Sequence, residues 1–162
     1  MASLTVWKFE SADGAAQALA KLESLSKQQL IAVQDAAIVT WPVGKKKPKT
    51  KQAVNLAGVG ALQGAFWGML FGLIFFIPFF GLAVGAAMGA LSGHFADYGI
   101  DDDFIEEVRN KVTEGTSALF LLSSDAVIDK VKGTFSDTKM ELVQSNLTAE
   151  QEAELREAFG EE

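Results

Sequence analysis

The chain has 162 residues, no cysteine and a formal net charge of −7. Its length suits one domain with an elaboration, and the lack of cysteine excludes a disulfide scaffold, thiol catalysis and cysteine-ligated metal. Residues 1–51 carry eight basic and four acidic side chains, residues 97–162 carry six and seventeen, and no charge lies between Lys51 and Asp97. So acidic a surface argues against nucleic acid as a partner, because phosphates would be repelled.

The basic first third predicts a strand, a helix and a second strand. Residues 4–9 (LTVWKF) have the Val, Trp and Phe content of a strand. From Ser11 onward, alanines and leucines recur at helical spacing, and residues 35–41 (DAAIVTW) read as a strand again. Residues 44–52 then form a basic linker, in which Pro48 opposes helix formation.

The acidic last third alternates helices and strands. Residues 101–103 (DDD) precede an amphipathic helix, where carboxylates favour the positive end of the helix dipole. Residues 116–122 form a short apolar run typical of a buried strand, and residues 138–145 alternate as a half-exposed strand does. A charged helix closes the chain, with Thr148 and Gln151 placed as a capping box.

Without the uncharged segment and the helix after it, the elements follow the βαββαβ order of a ferredoxin-like domain. We therefore predict an α+β fold: a ferredoxin-like domain with a glycine-zipper helical hairpin inserted between its second and third strands, plus a C-terminal helix. Residues 1–43 are the first half of the domain and 44–52 the linker. Residues 53–96 are the hairpin, and 97–162 hold the second half and the C-terminal helix.

Glycine recurs at every fourth residue of the hairpin, in two ladders on either side of the predicted turn at Pro78. This spacing keeps glycines on one helical face, where a second backbone can approach closely. An interior helical glycine costs about 1 kcal/mol relative to alanine, so the repetition indicates a packing interface between helices or between subunits. The ladder residues are Gly60, Gly64, Gly68, Gly72, Gly81, Gly85, Gly89 and Gly93.

The length and the flanks of the hairpin favour a bilayer. A bilayer core of ~30 Å needs about 20 helical residues, so residues 53–76 can span it and residues 79–96 are marginal. We expect the aromatic side chains of the segment to cover its outside, namely Phe66, Trp67, Phe71, Phe75, Phe76, Phe79 and Phe80. The lysines before the hairpin are expected at cytoplasmic lipid headgroups, with a solvated linker as the alternative: Lys45, Lys46, Lys47, Lys49 and Lys51.

A doubled glycine ladder inside such a domain, followed by GIDDDFIEEVRNKVTEGTSALFLL, resembles a bacterial family of uncharacterised membrane proteins, domain-of-unknown-function family 1269. The resemblance covers nearly the whole chain. Its most specific parts are the two ladders and the GTSALFLL strand after an acidic helix. It implies a membrane location and supplies no catalytic residue.

Few residues are candidates for a chemical site. His94, the single histidine, is interpreted as a polar membrane boundary, with a proton relay as the alternative. Asn55 and Gln63 are assigned to hydrogen bonds between helices. The acids 101–103 lack the staggered spacing of a calcium loop, and one histidine offers little for a nucleophile–base pair. We expect no catalytic, cofactor or metal site.

The sequence therefore predicts a non-enzymatic, membrane-associated protein that assembles with itself through the hairpin. The first residues do not resemble a secretory signal, so we expect the bacterial inner membrane, with the acidic domain in the cytoplasm. The expected partners are the lipid bilayer and other copies of the chain, with no cofactor, nucleic acid or identified small-molecule substrate. The alternative is a water-soluble cytoplasmic ring or shell whose hairpins share a hydrophobic core, and less favoured readings are a pore or a ligand-sensing module.

Overall fold

The structure, a computed structural model, describes residues 2–28, 33, 35–46, 48–52, 64–75, 99–135 and 140–159. Within these ranges the chain forms five strands and five helices, which confirms a mixed α/β fold. In chain order the elements are β1 (Ala2–Phe9), α1 (Gly14–Lys27), β2 (Asp35–Thr40), β3 (Lys49–Gln52), α2 (Gly64–Phe75), α3 (Asp102–Lys111), β4 (Ser117–Ser124), α4 (Asp125–Thr134), β5 (Met140–Leu147) and α5 (Ala149–Phe159).

The strands form one sheet in the order β3-β2-β4-β1-β5, and every neighbouring pair is antiparallel. At its centre Val6 of β1 lies opposite Phe120 of β4 on one side and Val143 of β5 on the other. Seven consecutive residues of β4 are buried, from Ser117 to Ser123. The near-continuous apolar run is therefore a central strand covered on both faces, as the sequence predicts.

Helices cover the sheet on both sides. Successive side chains of a strand point to opposite faces, so each strand contributes side chains to two separate cores. Leu4 and Val6 of β1 belong to a core cluster with buried side chains of α2 and α3. Trp7 and Phe9 belong to a second cluster, with buried side chains of α1 and α4. The sheet is thus the middle of three layers, and each face has its own apolar core.

Two predicted helix starts are confirmed by their capping contacts. Asp101 precedes α3 in an extended conformation, and its carboxylate accepts a hydrogen bond from the Phe104 N–H at 2.9 Å. Before α5, the Thr148 hydroxyl accepts from the Gln151 N–H at 3.1 Å, while the Gln151 side chain accepts from the Thr148 N–H at 2.9 Å. The acids 101–103 therefore lie at a helix start, with Asp101 satisfying a backbone donor that the first turn leaves unpaired.

Residues 49–52 depart from the linker predicted for 44–52, because they form the edge strand β3. Lys51 lies opposite Ile38 of β2, and Lys49 lies opposite Thr40. The connection from β2 contains Gly44 at φ +88, a left-handed conformation that glycine adopts without strain. The segment KTKQ lacks the apolar alternation of a strand, and its exposed lysines are typical of a sheet edge kept from pairing with another chain.

Candidate functional site

Helix α2 is the described part of the apolar segment, and it lies in the core of the chain. Phe66, Trp67 and Phe71 are at most 3% exposed. The ring of Phe120, on the central strand, meets Phe71 edge to face at a centroid distance of 5.0 Å and Trp67 at 6.3 Å. The prediction that these three aromatic side chains cover the outside of a hairpin is therefore wrong. They instead cover the apolar face of the sheet, which would otherwise be open to water.

The carboxylate of Asp35 fastens the N-terminal part of α2 to the sheet. Asp35 begins β2, is fully buried, and accepts a hydrogen bond from Trp67 Nε1 at 2.9 Å. It also accepts from the Gln52 side chain at 3.1 and 3.2 Å and from the Ala36 N–H at 2.8 Å. A buried carboxylate is tolerated only with such partners, so Asp35 joins β2, β3 and α2 in one polar cluster.

Arg109 of α3 fastens the other end of α2. Its Nε donates to the Ile74 carbonyl at 2.8 Å, and its Nη2 donates to the Leu73 carbonyl at 3.0 Å. The last carbonyls of a helix have no partner within the helix and carry its partial negative charge. A guanidinium at this position satisfies two of them and is electrostatically favourable, so α2 has a polar anchor near each end.

Neither anchor is predicted from the sequence. Asp35 is recognised there only as the first residue of a strand, and Arg109 only as part of an amphipathic helix. The sequence contains one signal for a buried role of Asp35: this acidic residue stands directly before the apolar run AAIV. The α2 partner of each anchor lies more than 30 positions away in the chain, which local patterning does not reveal.

The described lysines of the predicted headgroup cluster lie together at the β2–β3 connection and on β3. Lys45, Lys46, Lys49 and Lys51 are exposed, and we call them the lysine edge. Lys49 and Lys51 alternate with Thr50 and Gln52, so both project from the sheet face that carries α1 and α4. Lys47 lies outside the described residues.

The glycine ladders are described only in part. Gly64, Gly68 and Gly72 lie on α2, where Gly72 is buried and Gly68 is half-buried within this one chain. Their role as an interface stays a prediction. Phe75, also predicted on the outside of the hairpin, is partly buried against the core. The remaining residues of the segment with a predicted role lie outside the described ranges: Asn55, Gly60, Gln63, Phe76, Pro78, Phe79, Phe80, Gly81, Gly85, Gly89, Gly93 and His94.

Two negative findings apply to the described ranges alone. No group of three or more His, Asp or Glu side chains there is arranged to hold a metal ion. Among the helices that the structure describes, none has both the length and the apolar character needed to cross a membrane.

The part of the sequence that follows β3 is similar to a known family. The pattern of a family described as "Protein of unknown function (DUF1269)" matches residues 61–160. The chain belongs to this family. The matched range contains α2, Arg109 and every element from α3 to α5, whereas β1, β2 and the lysine edge precede it. No curated protein and no solved structure was found to match the chain.

Proposed function

We propose that the protein is a non-enzymatic, membrane-associated protein that assembles with itself through the glycine ladders of its apolar segment. One observation carries this: a segment without any charged residue, from Gln52 to Ala96, follows directly on the lysine edge. Each lysine close to an anionic leaflet contributes ~1 kcal/mol of attraction. The lysine edge and the apolar segment together form a two-part membrane contact on the cytoplasmic side of a bacterial inner membrane.

We also propose that the sheet has a ferredoxin-like topology. With β3 set aside, the strand order is β2-β4-β1-β5, and the elements β1, α1, β2, β4, α4 and β5 follow in the order βαββαβ. The apolar segment then lies in the connection between the adjacent strands β2 and β4. Helices α1 and α4 cover one face of the sheet, and α2 with α3 covers the other.

Helix α2 stays on the sheet in this proposal, because releasing it would unfold the domain. Among the side chains of α2 that the structure describes, six are buried: Phe66, Trp67, Leu70, Phe71, Leu73 and Ile74. In lipid these side chains would stay out of water, but the sheet side chains that α2 covers, among them Val6 and Phe120, would lose their apolar cover. Exposing one such side chain to water costs about 1.5–3 kcal/mol, so uncovering several would remove much of the ~5–15 kcal/mol that stabilises an ordinary domain. The lipid contact is therefore assigned to the lysine edge and to the apolar residues beyond α2.

The membrane contact is tested by vesicle co-sedimentation in the absence of detergent. Changing the four residues of the lysine edge to Gln removes up to about 4 kcal/mol of attraction, so binding to vesicles rich in phosphatidylglycerol should fall by up to roughly 1,000-fold. The matched control changes four exposed lysines elsewhere and should bind like the wild type: Lys21, Lys27, Lys130 and Lys132. Equal losses in both variants, or no loss in either, would contradict the assignment of the lysine edge.

Self-assembly is tested in the second ladder, which leaves α2 untouched. Gly85→Leu with Gly89→Leu should lower the mass of the purified particle, because leucine keeps the helix backbones apart. Ala86→Leu with Ala87→Leu adds the same side chains off the ladder and should leave the mass unchanged. An unchanged mass in the glycine variant refutes the ladder as an interface. A large particle that needs no detergent would favour the soluble ring or shell.

A further inference from the structure

The turn between β2 and β3 carries an exposed apolar side chain directly beside two lysines. Val43 is 81% exposed, and it is the one large apolar residue of the described ranges that lies open to water. Lys45 and Lys46 follow it after Gly44 and are exposed as well. A single exposed apolar residue is ordinary on a protein surface, so the surroundings of the turn decide what it contacts.

Three hydrogen bonds hold this turn in one conformation. The Lys45 N–H donates to the Pro42 carbonyl at 3.3 Å, and Gly44 between them has φ +88. Trp41 Nε1 donates to the Lys45 carbonyl at 2.9 Å, and the Gly44 N–H donates to the Glu114 carboxylate. The tip of the turn is therefore presented in a fixed position, without the entropy cost of ordering a loose loop on binding.

The turn lies beside the last residue of α2. The rings of Trp41 and Phe75 meet edge to face, with their centroids 6.0 Å apart and their planes at 90°. Phe75 is partly buried against the core, and the uncharged sequence continues directly after it with FIPFF. Tryptophan is enriched at the boundary between membrane and water, and Trp41 occupies the place where the basic turn adjoins the end of α2.

The opposite end of the sheet is acidic. Thr40, from which the turn departs, lies opposite Ser117 at the start of β4. Helix α3 begins at the other end, because the Gly99 carbonyl accepts a hydrogen bond from Ser145, which is level with the last residues of β4. The exposed acids 101–103 therefore lie away from the turn. An anionic surface attracts the end with the turn and repels the end with these acids.

We propose that the β2–β3 turn enters the headgroup region of an anionic bilayer with Val43 at its tip, and that the sheet is oriented with this end toward the membrane. The inference rests on the proposed membrane association and adds the element that penetrates and the orientation of the domain. Lys45 and Lys46 then reach the headgroup phosphates, while the acids 101–103 face away from the leaflet.

A fluorescent label at the turn tests the insertion, because the chain has no cysteine of its own. Val43→Cys and, at the opposite end of the sheet, Ser124→Cys each receive the polarity-sensitive dye NBD; both positions are exposed. Vesicles rich in phosphatidylglycerol are prepared with and without a nitroxide on the upper part of the acyl chain, which quenches by contact. We expect quenching of the label at position 43 and unchanged emission from the label at position 124.

Co-sedimentation of the same samples separates this inference from the proposed function. Protein that sediments with an unquenched label at position 43, or with equal quenching at both positions, would overturn the insertion of the turn and leave membrane association standing. Wild-type protein that does not sediment with these vesicles would overturn both.

An unlabelled pair of variants tests the apolar contact itself. Val43→Ser leaves every lysine in place and should weaken vesicle binding about tenfold, because the apolar side chain no longer leaves water. Val43→Leu keeps an apolar side chain and should bind at least as tightly as the wild type. Equal binding by Val43→Ser and the wild type would refute the role of Val43.

Discussion

Removing the side chain of Leu70 measures how far α2 belongs to the domain core. Leu70 is fully buried at the middle of α2, in the cluster between the sheet and α3. Truncating a buried leucine to alanine removes its transfer energy and leaves a cavity, which together cost about 2–5 kcal/mol. For a chain of this size 1 kcal/mol lowers the melting temperature by about 3 °C, so Leu70→Ala should lower it by roughly 6–15 °C.

The assay is thermal and urea unfolding followed by far-ultraviolet circular dichroism, which reports the sheet and helices of the whole domain. Val43→Ala is the control, because Val43 is 81% exposed and its truncation should change stability by at most about 0.5 kcal/mol. If Leu70→Ala unfolds at the same temperature as Val43→Ala, then α2 does not support the domain.

Two further predictions concern the charged contacts of α3. Arg109→Met keeps the aliphatic stem but loses both hydrogen bonds to the end of α2, so we expect a loss of about 1.5–3 kcal/mol and faster amide exchange in the last turn of α2; unchanged exchange would contradict the anchor. Lys111 donates a hydrogen bond to Glu141 at 3.1 Å, and this bond and its charge lower the pKa of Glu141. Lys111→Met should therefore raise that pKa, as followed by carboxyl NMR, and should flatten the loss of stability that accompanies protonation of Glu141 at acid pH; an unchanged pKa would rule out Lys111 as the cause of the shift.

Features that depend on neighbouring residues could be predicted from the sequence. The capping box of Thr148 and Gln151 and the cap at Asp101 involve side chains three positions from their backbone partners. The central strand β4 is signalled by its own apolar run. In each case the sequence pattern that predicts the element lies within the element or directly beside it.

The environment of α2 could not be predicted in this way. Hydropathy is the same for a helix surrounded by lipid and for a helix packed between a sheet and another helix. What distinguishes the two environments in this chain is the contact of Trp67 with Asp35 and of α2 with Arg109, which join parts of the chain 32 to 36 residues apart. Strand β3 escapes prediction for a related reason, since KTKQ pairs as a strand only because β2 lies beside it.

The place of α2 in the core is tested most directly by the position of Trp67 when the protein is bound to a membrane. A variant with Trp7→Phe and Trp41→Phe keeps Trp67 as its only tryptophan. Its fluorescence would be recorded on anionic vesicles with and without brominated acyl chains, which quench by contact. The bound protein should show unquenched emission, because α2 remains on the sheet. Strong quenching by brominated lipid would show that α2 enters the bilayer, and would contradict its place in the core.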